Sequence, residues 1–117
     1  MPERRRRWII VRRRDLIGTA LATLAPMVPN SEREMILDHA EDSPGLRKAT
    51  PAKAAWLSLV AFIRHNYSDY DSLLAEGYDS LSARHFSLEQ INAVLQAWGC
   101  RRLVSGDEDT EVNRPPG

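Results

Sequence analysis

A single cysteine, Cys100, stands among 117 residues, so no intrachain disulfide can form. A chain without disulfides suits a reducing compartment, and a cytoplasmic location is the expectation. No apolar run approaches the roughly 18 residues that span a bilayer. The apolar stretch Trp8 to Val11 is too short for a secretory h-region, and Arg12, Arg13 and Arg14 follow it at once. An Arg-rich, amphipathic start also suits a transit peptide, but Glu3 and Asp15 count against one. Phosphate-loop and dinucleotide fingerprints are missing, as are a nucleophile elbow and any HxxxH, HxxE or CxxC spacing. Strand alternation is missing too: Trp8 to Val11 and Arg102 to Val104 are too short to build a sheet.

What is present is a composition able to fold. At 43% hydrophobic and 27% charged residues, the chain is sized for one soluble domain with a real core. Its net charge of zero hides an asymmetry. Seven arginines (Arg4, Arg5, Arg6, Arg7, Arg12, Arg13 and Arg14) and one acid occupy the first fourteen residues, so the remainder is acidic. We divide the chain into a basic segment (1–14), a helical domain (15–104) and an acidic tail (105–117) expected to be disordered.

Helical signals fill the middle. Leu16, Ile17, Ala20, Leu21 and Leu24 share one helical face, with Ile9 and Ile10 a heptad earlier; Pro26 and Pro29 stop the helix. Ser31 with Glu34 forms a capping-box pattern, predicting a helix from Glu32 to about Glu41 with Met35, Ile36, His39 and Ala40 inward. Thr50-Pro51 opens a third helix, apolar nearly all round from Ala52 to Ile63 except for Lys53 and Ser58, which belongs at the centre of the fold. Ser68 is placed to cap a short helix over 69–76, with Gly77 ending it. A last helix starts at Ser80 and ends at Gly99, or divides near Ser87, where Ser87 and Gln90 repeat the capping-box pattern. The fold class is therefore all-α: a compact bundle of four to five helices around a buried central helix at about 51–66.

One stretch concentrates chemistry. Between Ile63 and Phe86, two Arg-His pairs flank three tyrosines and three aspartates. Serines and acids here have helix-capping roles to fill, which leaves Arg64, His65, Tyr70, Arg84 and His85 as the candidate cluster. The run AAWLSLVAFIRHNYSDYDSLLAEGYDSLSARHF, followed by INAVLQAWGCRR, resembles the family named domain of unknown function 2293. Arg64-His65, Tyr70 to Leu74, Ala83-Arg84 and Trp98 carry the resemblance, which covers roughly residues 31 to 102. It implies a compact helical domain and supplies no activity or catalytic residue.

Four functions compete. His39, His65 and His85 with nearby aspartates could hold a divalent ion, but their spacing is not that of a metal motif, and neither metal nor cofactor is assigned. His65 with Asp69 or Asp71 could serve acid–base chemistry, although helix capping explains the same residues. The N-terminal arginines could track a phosphate backbone, extended by Arg64, Arg84, Arg101 and Arg102, with Trp8, Tyr67 or Tyr70 stacking on bases. Alternatively, Arg64 and Arg84 pair with Asp69, Asp71 or Asp79 and fix helix packing. Trp8, Ile9 and Ile10 could instead dock on another protein, a second copy or an anionic membrane surface. The reading favoured here is a non-enzymatic binding module contacting nucleic acid, with a protein-interaction module and an enzyme built on the Arg-His/Tyr-Asp cluster as alternatives.

Overall fold

The central helix forms as its composition predicts. In the computed structural model, which describes residues 12–105, five α-helices and one 3-10 turn follow in order. They are α1 (Arg13–Leu24), α2 (Asn30–Asp42), the turn Pro44–Leu46, α3 (Pro51–Tyr67), α4 (Tyr70–Ala75) and α5 (Ser80–Ala97). No strand occurs among the described residues, Arg102 to Val104 included. The basic residues Arg4 to Arg7, the docking candidates Trp8, Ile9 and Ile10, and the acidic tail beyond Ser105 lie outside the described residues.

Helix α3 contacts all four other helices. It starts where Thr50 Oγ1 accepts the Lys53 amide at 3.1 Å, with Pro51 at the first helical position. Leu59 and Ile63 are fully buried among Ile17 and Leu21 of α1, Ile36 of α2, and Ile91 and Leu95 of α5. Truncating such a side chain typically costs about 2–5 kcal/mol, so this layer dominates the fold's cohesion.

Several local signals resolve differently from their sequence pattern. The Ser31–Glu34 capping box does not form: α2 begins at Asn30 without a side-chain cap. Glu34 instead accepts from Arg14 at 2.7 Å, beside Asp38 at 2.9 Å and Glu41 at 2.5 Å, so one guanidinium clamps α1 to three carboxylates of α2. The inner face of α2 is Ile36, Leu37 and Ala40; Met35 and His39, expected inward, are exposed, with His39 keeping one ring nitrogen on Ser58 of α3. Leu16, placed on the buried stripe of α1 by its period, is exposed as well. Helix α5 is continuous through Ser87, which is fully buried and donates to the Ala83 carbonyl rather than starting a new helix. It is Asp79, not Ser80, whose side chain caps α5, accepting the Ser82 amide at 2.7 Å.

Two glycines end helices as expected. Gly77 has φ +105 and Gly99 φ +82, the left-handed conformation that closes a helix C-terminus. After Gly99 the chain returns along the bundle. Asn92 holds it by both amide atoms, donating to the Val104 carbonyl at 3.0 Å and accepting the Val104 amide at 2.8 Å. Val104 is thereby buried, and Arg102 lies over the Trp56 ring at 4.0 Å.

Candidate functional site

The two Arg-His pairs look alike in sequence and are used differently. A step of one residue turns a helix by about 100°, so the members of each pair face apart. Arg64 is 7% exposed and lies over the Tyr70 ring, 5.4 Å from its centroid. His65 is turned outward: its Nδ1–H donates to both Asp71 oxygens, at 2.9 and 3.1 Å, and its ring meets Tyr70 edge-on at 6.0 Å. Arg64, His65 and Tyr70 therefore form one cluster where α3 turns into α4. Arg84 and His85 lie on α5; Arg84 is half-buried, and His85 is exposed with its ring against Phe86 at 5.4 Å.

The three aspartates near these pairs hold local structure together. Asp71 is engaged by His65. The backbone amide of Asp69 donates to Gln90 Oε1 at 2.8 Å, and its carboxylate accepts from Gln90 Nε2 at 2.9 Å, tying the α3–α4 junction to α5. Asp79 caps α5, and the amide and hydroxyl of Ser82, with the Leu81 amide, hold its carboxyl below the usual range. Ser68, expected to cap the short helix, donates to the Arg64 carbonyl at 2.6 Å and accepts the Tyr70 amide at 3.2 Å. Tyr67, a candidate for base stacking, donates to Glu32 and meets Trp98 edge-on at 5.5 Å.

The histidines do not assemble into a metal centre. Among the described residues no group of three or more His, Cys, Asp or Glu side chains is placed to hold an ion. His39 does approach His65 closely enough to feel its charge. Its Nδ1 shares a 3.0 Å hydrogen bond with the fully buried Ser58 hydroxyl, and burial, aided by His65 and opposed by Asp42, pulls its pKa below the ordinary 6.5.

His39 also borders a concave part of the described surface. A cavity of about 610 Å³ lies between α2, the segment 43–49 and one face of α3. That is the volume range of small-ligand sites. Its polar wall includes His39, Lys48, Lys53 and Arg64, and among the described residues no carboxylate lines it. Leu57, Val60 and Ala61 make an apolar wall along α3. A second cavity of about 560 Å³ adjoins it across Lys53, Trp56 and Leu57 and reaches Arg102.

The sequence reading passed over Lys48 and Lys53. A signal existed: Lys53, Leu57, Val60, Ala61 and Arg64 recur at i, i+4, i+7, i+8 and i+11, which puts both cations of α3 on one face. Of the three described N-terminal arginines, two are engaged within the fold. Arg13 donates to the Leu46 carbonyl at 2.8 Å and Arg14 is held by α2, while Arg12 is exposed at the start of α1.

Comparison with known proteins fits this architecture. The family described as "Uncharacterized conserved protein (DUF2293)" matches residues 20–99. The chain belongs to that family. The match runs from α1 to Gly99 and so takes in the whole helical frame of the cavity, α2, the 43–49 segment and α3. No curated protein and no solved structure matches the chain significantly. Among the described residues, no helix of this DUF2293 domain is long and apolar enough to cross a membrane.

Proposed function

We propose that this DUF2293 domain is a non-enzymatic binding module and that its binding face is the cleft between α2, the 43–49 segment and α3, which receives an anion. One observation carries the reading: Lys48, Lys53, Arg64 and His39 line a single concavity in which no carboxylate occurs among the described residues. Arg13 and Arg14, by contrast, are drawn into the fold. Acid–base chemistry has less support. The His65–Asp71 pair is more than half exposed, at 53% and 57%, and the nearby Ser68 hydroxyl is bound within its turn. A cytoplasmic location accords with the lone thiol, Cys100, which is buried.

Nucleic acid is the polymeric version of this ligand. It is favoured by the continuation of basic lining from the first cavity through Lys53 to Arg102 in the second. A salt titration of binding to mixed DNA and RNA oligonucleotides tests it. Log affinity should fall linearly with log salt, and Lys48→Gln with Lys53→Gln should flatten the slope by about two. Binding that ignores salt, or that survives the double substitution with its slope intact, rejects the cleft as the contact surface.

A further inference from the structure

The cleft is not uniformly basic, and its two-sided lining narrows the ligand. Lys53 stands near the start of α3 and Arg64 eleven residues on, about 16 Å along the helix axis. Between them the α3 wall is Leu57, Val60 and Ala61. Lys48, from the 43–49 segment, lines the same cleft, and both lysines are exposed. At the far end Arg64 is nearly enclosed. A fully hydrated anion would use the lysines and leave the apolar wall in contact with water. A ligand with an apolar body would displace that water, and a volume of about 610 Å³ admits one.

From this asymmetry we infer that the cleft takes a small phosphate ester whose phosphate meets Lys48 and Lys53 and whose apolar body lies along Leu57, Val60 and Ala61. A phosphate monoester presents up to two charges and several acceptor oxygens, enough to engage both ammonium groups at once. A carboxylate carries one charge and satisfies the pair less fully. The inference rests on the anion-binding reading of the cleft and specifies its ligand class. Nothing in it requires a bond to form or break.

Calorimetric titration of the full chain with 1-naphthyl phosphate, inorganic phosphate and 1-naphthol tests it. The naphthyl ester should bind at least about tenfold more tightly than inorganic phosphate, because its ring removes apolar wall from water. Naphthol should bind more weakly than the ester. Two variants separate the contributions, each compared with the parent by circular dichroism and melting temperature. Lys48→Gln with Lys53→Gln should abolish binding of both phosphates. Ala61→Phe, which fills the body subsite and leaves the lysines in place, should erase the ester's advantage while keeping inorganic phosphate binding. Equal affinity for ester and inorganic phosphate, with lysine-dependent binding of both, overturns the ligand class and leaves the anion cleft standing. No lysine-dependent binding of either phosphate or of an oligonucleotide overturns both.

Discussion

His39 is the residue whose chemistry is most tied to its position. Its neutral form is favoured in the fold, chiefly because burial disfavours the cation. The unfolded chain has no such bias and protonates near the ordinary 6.5. The contribution to stability is therefore present above pH 6.5 and is lost as the pH falls through that value toward the lower folded pKa. Urea denaturation at pH 7.5 and 5.5 should show a stability loss that shrinks in His39→Gln; an equal loss in both proteins refutes the assignment. Two neighbours act on the same titration, His65 reinforcing the shift and Asp42 opposing it. Cys100 is the second case. It is 4% exposed, its Sγ–H donates to the Arg102 carbonyl at 3.2 Å, and burial raises its pKa. Iodoacetamide at pH 8 should leave it unmodified in the native protein and label it fully in denaturant, as read by intact mass.

At the scale of elements, the sequence was most legible where backbone geometry alone decides. Thr50-Pro51, Gly77 and Gly99 mark helix ends because of their own φ preferences and capping atoms, and the structure uses them so. It was least legible where a polar side chain could choose between a local and a distant partner. Glu34 has the spacing to cap α2, but a guanidinium from α1 competes, and a carboxylate's bond to a full positive charge outweighs its bond to a neutral amide. Gln90 is similarly drawn to Asp69, twenty-one residues away. The candidate cluster divided for a related reason: Arg64, His65 and Tyr70 lie close in sequence and across one turn, whereas the place of Arg84 and His85 depends on how α5 packs. Two substitutions test the element ends. Thr50→Ala removes the side-chain cap of α3 and should cost about 1 kcal/mol in chemical denaturation. Gly99→Ala should cost at least about 1 kcal/mol, since its Cβ would be strained at φ +82 and would come within 3.2 Å of Pro26.

For the whole molecule, the apolar character of α3 predicted the architecture, because a helix with few polar positions has to be surrounded. Leu59→Ala should accordingly destabilise by about 2–5 kcal/mol, whereas Phe86→Ala, at a residue 60% exposed, should stay within about 0.5 kcal/mol. Denaturant midpoints at unchanged m-value would verify the contrast. The binding face was harder to foresee. Lys48 comes from the segment between two helices, His39 from α2, and Lys53 and Arg64 from α3, so their meeting is a product of topology.

The clamp on Arg14 bears on how this protein can be dissected. The run of positive charge in the sequence invites a shortened chain that begins at residue 15. Such a cut would remove the side chain that grips Glu34, Asp38 and Glu41, along with Arg13 and its bond to Leu46. Asp38 and Glu41 would then lose this counter-charge, Glu34 would keep Arg33 at 3.5 Å, and α1 would lose its first two residues. Any ligand lost by that fragment could be lost through loosened helices rather than missing contacts. A cut before Arg12 keeps these anchors, so a pair of fragments starting at 12 and at 15 separates the two causes.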